Sequence, residues 1–307
     1  MLRSFFIGLS TNKAFRAFSE RSAVGRRVSR RFVAGMSVEE AVAVAEQLNR
    51  EGIAVTLDSL GESVDDVAHA EASAGIYHRL LEEIEARKLK ANVSVKLTQM
   101  GMDIRGNGPE LAEGIVGRMV EHAAGFGCFV RIDMEGSEYT EATIAMTERL
   151  HARWPGAVGT VLQAYLFRTA EDVERLLGQG IRIRLCKGAY KESAEIAYPL
   201  KSDVDANYVR LMKRVASSGV FCGIATHDEA IVEQMKRFVA ETGLDKGAFE
   251  FQMLYGIRRD LQRVLVAAGF GVRVYVPFGM EWYPYFMRRL AERPANVLFL
   301  AKNFFKS

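Results

Sequence analysis

Charged and hydrogen-bonding side chains end most of the short apolar runs in this chain. Asp58 and Glu62 follow the first run. Lys96 lies between Val95 and Leu97, Arg131 and Asp133 stand two residues apart, and Gln163 closes a fourth run. Further on come Arg184, Lys187 and Tyr190, then Thr226 and His227, then Gln252 and Tyr255. Donors in this number suit an anionic ligand. Lys96 must meet a counter-charge or suffer desolvation. Arg131 and Asp133 alternate, so both can point one way, and an internal ion pair between them is the plain structural alternative to a role in binding. His227 either caps the helix that follows or contacts a ligand. Lys96 and Lys187 also permit another chemistry, the Schiff base of a class I aldolase-like lyase. No H-x-H, H-E-x-x-H or Cys/His cluster is present, so no metal is expected.

The stretch from Tyr275 to Pro294 is aromatic first and basic second. If Pro284 opens a helix, Tyr285, Arg288 and Glu292 recur at three- and four-residue steps with Arg289 beside them, so they share a face. Paired guanidinium groups bind a carboxylate in bidentate fashion, and the tyrosines beside them make a slot for a small hydrocarbon ring. The plain alternative is a terminal amphipathic helix with solvated arginines.

These residues need elements to position them. From residue 36 onward, short β-branched runs alternate with longer amphipathic stretches. The strand-like runs are Ile53–Leu57, Val93–Leu97, Phe129–Asp133, Val158–Ala164, Ile181–Cys186, Val220–Ala225, Phe249–Met253 and Val272–Val276. Pro109–Ala124, Glu138–Arg153, Asp203–Ser217 and Asp228–Thr242 are long enough for right-handed crossovers. This is an α/β chain of the length of a (β/α)8 TIM barrel, and the residues above then fall where such barrels carry function, at the carboxyl ends of the strands. A doubly wound sheet is disfavoured because G-x-G-x-x-G is absent.

The chain has 307 residues, 49% of them apolar, and a net charge of +3 from 41 basic and 38 acidic residues. That excess is too small to hold a polyanion, so no nucleic acid is expected as a partner. Three widely spaced cysteines, Cys128, Cys186 and Cys222, point to a reducing compartment. No apolar run is long enough to span a bilayer and no secretory signal is visible, so a cytoplasmic location is expected. Residues 1–35 read as a separate basic arm: Arg3, Lys13, Arg16, Arg21, Arg26, Arg27, Arg30 and Arg31 face only Glu20 within its first 31 residues. Leu2, Phe5, Phe6, Leu9, Phe15 and Phe18 recur at mixed three- and four-residue steps, the pattern of short helices that can lie on an anionic membrane surface. An arm packed on the body and an organelle transit peptide are the alternatives. Residues 36–307 are expected to form the barrel.

The chain also resembles a known family, proline dehydrogenase, from about residue 36 to its end. The resemblance rests on the runs Arg184-Leu-Cys-Lys-Gly-Ala-Tyr190 and Tyr275 to Asn296. Val95-Lys-Leu97, Arg131-Ile-Asp-Met-Glu135, Ala225-Thr-His-Asp228 and Phe251-Gln-Met-Leu-Tyr-Gly256 support it in order. It implies a distorted barrel with its eighth helix over the mouth and FAD-dependent oxidation of L-proline to 1-pyrroline-5-carboxylate. It further implies electrons passed to membrane quinone, a peripheral place on the inner face of the membrane, and a separate 1-pyrroline-5-carboxylate dehydrogenase to consume the product.

By the same resemblance, Arg288 and Arg289 hold the substrate carboxylate, while Lys96, Asp133, Leu254, Tyr275 and Tyr285 shape the proline pocket and Glu62 gates it. Flavin contacts fall on Asp133, Met134, Gln163, Arg184, Cys186, Lys187, Gly188, Ala189, Tyr190, Thr226, His227 and Glu292. Tyr275 implies proline in preference to hydroxyproline. Two positions depart from the family pattern: Lys191 stands where bifunctional members carry Trp, and Phe278 where Tyr is common. Its length leads us to expect the stand-alone type, without room for the aldehyde dehydrogenase domain and the DNA-binding region of the long members.

Overall fold

A computed structural model of the chain describes residues 30–61, 63–190 and 192–292, with the backbone alone over 288–292. Its eight strands are β1 (Ala54–Ser59), β2 (Ala91–Val95), β3 (Val130–Ile132), β4 (Val158–Gln163), β5 (Arg182–Cys186), β6 (Cys222–Ala225), β7 (Phe249–Leu254) and β8 (Gly271–Phe278). Each pairs in parallel with the next, and β8 closes on β1. Every run read as a strand from the sequence is one, with ends shifted by up to two residues. Lys96 therefore stands just past β2 and Asp133 just past β3.

Helices α2 (Val67–Ala86), α3 (Gly108–Ala124), α4 (Thr140–Arg153), α5 (Thr169–Leu177), α6 (Lys201–Ala216), α7 (Glu229–Thr242) and α8 (Arg259–Ala267) connect successive strands. The gap between β8 and β1 is covered by α1 (Val38–Arg50), which precedes the barrel in sequence and packs on both strands. A reciprocal cap starts α1: the Ser37 hydroxyl accepts from the Glu40 amide while the Glu40 carboxylate accepts from the Met36 amide at 2.6 Å. Outward-facing Val, Ile and Leu of the strands meet the apolar stripes of these helices in one continuous core.

Because α1 fills the outer position, α9 (Trp282–Glu292) is left to pack elsewhere. Its Trp282, Tyr283, Tyr285, Phe286 and Met287 form a second apolar cluster with Leu60 after β1, Leu254 and Ile257 at the end of β7, and Phe32 and Val33. That cluster lies at the carboxyl ends of the strands, so α9 sits over the mouth. Pro284 stands at the third position of α9, not the first; within the opening turn its missing N–H is one of those without an intrahelical acceptor in any case.

Residues 31–35 run along the same rim. The Ala34 amide donates to the Pro277 carbonyl at 2.9 Å, and the Gly279 amide donates to the Gly35 carbonyl at 2.9 Å. The Arg31 carbonyl lies so close to Gly256 that a Cβ there would meet it at 1.7 Å. The expected amphipathic helices of residues 1–29 lie outside the described residues. No helix among the described residues is long and apolar enough to cross a membrane.

The barrel interior is filled with charge. Arg131 donates to the Thr160 and Arg182 carbonyls at 2.8 and 2.6 Å and stacks on Phe129 at 4.6 Å. Arg273 donates to Glu250 at 2.5 Å and to the Val55 carbonyl at 2.6 Å, and Gln252 donates to Glu250 at 2.7 Å. Two glycines make room for these side chains. A Cβ on Gly159 would lie 2.2 Å from the Arg182 carbonyl, and one on Gly223 would lie 2.4 Å from the Gln252 amide nitrogen. Gln252 has no freedom to retreat, since Arg184 and Glu250 hold its two ends. Gly223→Ala is therefore expected to lower stability by about 1–3 kcal/mol through overpacking, read from urea unfolding. An unchanged midpoint would contradict the packing described.

Candidate active site

Above the Arg131 and Arg273 level, the mouth is organised by two carboxylates. Asp133 accepts from the Ser94 hydroxyl at 2.6 Å, from the Arg184 guanidinium at 2.7 Å and from the Tyr275 phenol at 2.8 Å. Arg184 also donates to Gln252 at 2.5 Å and stacks over the Tyr275 ring at 5.2 Å. Groups on β2, β5 and β8 thus converge on the residue that follows β3. The Arg131–Asp133 ion pair open from the sequence is not the one formed: the Arg131 Nη1 atom lies one level deeper, on main-chain carbonyls, and Asp133 takes Arg184.

Asp58, at 1% exposure, is the second carboxylate. It accepts from Lys96 at 3.0 Å and from the buried Tyr77 phenol at 3.4 Å, and Tyr77 also meets Gln99 at 3.2 Å. Burial pushes the Asp58 carboxyl up; Lys96 pulls it down and Asp133 adds to the rise. The same burial, reinforced by Asp133 and Asp58, pushes the Tyr275 phenol well above its ordinary range, so it remains a donor. Sequence reasoning placed Asp58 at a strand end and gave it no role. The signal that could have found it was the need of Lys96 for a counter-charge.

The expected flavin residues lie along β4, β5 and β6. Gln163 is buried at the end of β4 and donates to the Glu135 carbonyl at 2.9 Å. Met134 is buried beside Asp133. Lys187 pairs with Asp205 at 2.5 Å and Asp228 at 3.0 Å. Burial alone would raise the Asp228 carboxyl, but Lys187, the Ala230 amide and Lys201 together outweigh that and hold it below its ordinary range. Burial pushes the Cys186 thiol up to about 11, so it stays uncharged at neutral pH. Thr226 accepts from the Asp228 amide at 3.0 Å, and Asp228 caps α7. His227 is therefore not the cap. Its Nε2 accepts from the Leu254 amide at 2.8 Å, which places the ring proton on Nδ1.

Whether this arc fits a dinucleotide is tested by its shape. Gly188 has φ 120°, and a Cβ there would lie 2.2 Å from the Tyr165 ring, so the Lys187–Tyr190 backbone lies flush against that ring. Ala189 and Tyr190 are exposed beside it, Tyr190 at 46%. Cations, a neutral imidazole and an exposed aromatic side chain along adjacent strand ends fit the mixed demands of a flavin dinucleotide.

On α9 the structure sets Tyr285 in the apolar cluster with Leu254. Arg288, Arg289 and Glu292 are carried by the same helix, but their side chains lie outside the described residues, as do Glu62 and Lys191 entirely.

Removal of one member of the buried Asp58–Lys96 pair leaves an uncompensated charge. Asp58→Ala is expected to destabilise the fold by about 3–5 kcal/mol, and Asp58→Ala with Lys96→Met should recover most of that loss in chemical unfolding. Equal losses in the single and double variants would contradict the pairing.

Three comparisons with known proteins bear on this site. A family model described as proline dehydrogenase matches residues 41–302. Proline dehydrogenase of Deinococcus radiodurans is 43% identical over 280 residues, which is 91% of this chain and 90% of that protein. Proline dehydrogenase 1 of Bacillus subtilis strain 168 is 40% identical over 307 residues, the full length of both. The crystal structure of proline utilization A from Bdellovibrio bacteriovorus, inactivated by N-propargylglycine, matches with a TM-score of 0.82. At 24% identity this is a likeness of fold, and it covers 94% of this chain and 38% of that one. The barrel, the order of its strand-end residues and its relatives lead to one conclusion: the chain belongs to the proline dehydrogenase family.

Proposed function

We propose that the chain oxidises L-proline to 1-pyrroline-5-carboxylate, with FAD as hydride acceptor and membrane quinone as the final acceptor. The observation that carries the reading is the paired mouth itself: Lys96 on Asp58, and Arg184 and Tyr275 on Asp133, beneath a helix that carries Arg288 and Arg289. Proline brings a carboxylate, a secondary ammonium and an apolar ring. Arg288 and Arg289 would clamp the carboxylate. Leu254, Tyr275 and Tyr285 would wall the ring, and Glu62 would close the entrance on the outer arginine.

Oxidation of the C–N bond removes a proton from nitrogen and a hydride from the adjacent carbon. Lys96, held in place by Asp58, would disfavour the ammonium form of the bound substrate and so promote loss of that proton. FAD, when bound, supplies the hydride acceptor. Asp133, Met134, Gln163, Arg184, Cys186, Lys187, Gly188, Ala189, Tyr190, Thr226, His227 and Glu292 would hold it, and Arg184 would supply positive charge where negative charge builds up. The arm of residues 1–35 would rest on the cytoplasmic face of the membrane, where quinone is reached, through the part that precedes the rim-bound residues 31–35, and residues 36–307 would be the catalytic barrel. A separate dehydrogenase would then consume the product.

A lyase that uses a Schiff base is disfavoured because Lys96 and Lys187 are both engaged by carboxylates, bonds that must break before either amine can attack a carbonyl.

With FAD, L-proline and a soluble dye acceptor, the protein should yield 1-pyrroline-5-carboxylate, seen as its coloured adduct with o-aminobenzaldehyde; no adduct, with lysine labelled by borohydride in the presence of a keto substrate, would favour the lyase. Deletion of residues 1–29 should weaken binding to phosphatidylglycerol vesicles and leave dye-linked oxidation unchanged. Undiminished vesicle binding would remove the arm from the account.

A further inference from the structure

His78 on α2 and His122 on α3 meet on the outside of the barrel with their Nδ1 atoms 2.9 Å apart. The rings stack at 5.2 Å and 22°, and the edge of Phe126 closes one side of His122 at 5.8 Å. Both histidines are half-buried. Two imidazolium ions would repel at this distance, whereas 2.9 Å is the length of a bond in which the N–H of one neutral ring donates to the lone pair of the other. The surroundings agree. Burial, His122 and Arg118 hold the His78 imidazole below its ordinary range, against the smaller opposing pull of Glu82 and Glu71. Arg118 is itself bound to Glu71 at 2.6 Å, a second tie between the same two helices.

Neutral imidazole is the form in which histidine ligates a transition metal. Two zinc–nitrogen bonds of about 2.0–2.1 Å at a tetrahedral angle set their nitrogens roughly 3.3 Å apart, so the pair needs to open by only about 0.4 Å. Glu82 follows His78 by four residues on α2, on the same side of the helix and exposed. Among the described residues no group of three or more histidine, cysteine, aspartate or glutamate side chains is gathered as a ready metal cage. Two imidazoles would therefore carry the ion, with water and the exposed Glu82 carboxylate to complete the shell.

We propose that His78 and His122 form a two-imidazole site for a borderline transition-metal dication of the zinc class, which fastens α2 to α3 on the face of the barrel wall. Binding replaces the N–H···N bond. The donor imidazole shifts its proton from Nδ1 to Nε2, both Nδ1 lone pairs go to the metal, and no proton is released overall. The other histidines stand apart: His69 pairs with Asp66, His151 lies on α4, and His227 bonds the Leu254 amide at the mouth.

The test is titration of the full-length, chelator-stripped protein with zinc chloride at pH 7.5, followed by calorimetry and thermal unfolding. One ion per chain should bind, and zinc at tenfold excess over its dissociation constant should raise the unfolding temperature by about 2–4 °C. At pH 5.5 affinity should fall at least tenfold as protons compete. His78→Ala and His122→Ala should each abolish the shift while His69→Ala retains it; His78→Gln and His122→Gln, closer in volume, serve if alanine loosens the helix pair. Absence of zinc binding in the native protein, or binding undiminished in the His78 and His122 variants, would overturn the site.

Discussion

Asp133 receives three donors from three different strands, and each of them has a further obligation. Arg184 must also satisfy Gln252, which satisfies Glu250, which in turn holds Arg273. A parallel barrel of this size usually packs its interior with branched apolar side chains. Here a chain of alternating charge crosses it instead. Taken one at a time, buried ions are costly, and a pair repays its desolvation only when the geometry is good and remaining donors and acceptors are met. That constraint fixes much else: Gly159 is small because the Arg182 carbonyl that holds Arg131 lies against it, Gly223 is small because Gln252 needs its space, and Ser94 supplies a hydroxyl where an apolar residue would leave Asp133 short of a donor.

The upper end of this charge chain is also the floor of the candidate site. Lys96 and Arg184 reach the mouth already paired, so their positions are set before any ligand arrives, as electrostatic catalysis requires. The helix arrangement follows from the same economy of covering surfaces. With α1 sealing the β8–β1 seam, α9 has no place on the outer wall, and its aromatic face finds Leu60, Leu254 and Ile257 on the rim. The residues 31–35 strap and the α9 lid share that cluster.

Much of this was legible in the sequence. Strands showed as β-branched runs because both faces of a parallel barrel strand are enclosed, and the helices showed by their apolar stripes; eight of the former with crossovers between them sufficed for the barrel. The strand-end rule then pointed to Lys96, Asp133, Gln163, Arg184, Thr226 and Tyr275. What the sequence did not reveal is who pairs with whom. Arg131 is two residues from Asp133, yet its Nη1 donates to carbonyls while Asp133 reaches Arg184 across the barrel, because the tilt of the strands sets height in the interior and no local pattern encodes it. Asp58 and Tyr77 were silent for the same reason: a carboxylate on β1 meets Lys96, and a phenol on α2 meets that carboxylate, only after closure. The His78–His122 contact likewise depends on how α2 lies on α3.

The central claim is that one charge-compensated mouth takes both proline and a flavin. It is tested most directly by the visible spectrum of the purified, FAD-loaded protein under anaerobic titration with L-proline. The account predicts flavin absorbance near 450 nm (roughly) that bleaches as proline is added and stays bleached without an acceptor. A protein that cannot be loaded with FAD, or a bound flavin indifferent to proline, would contradict it.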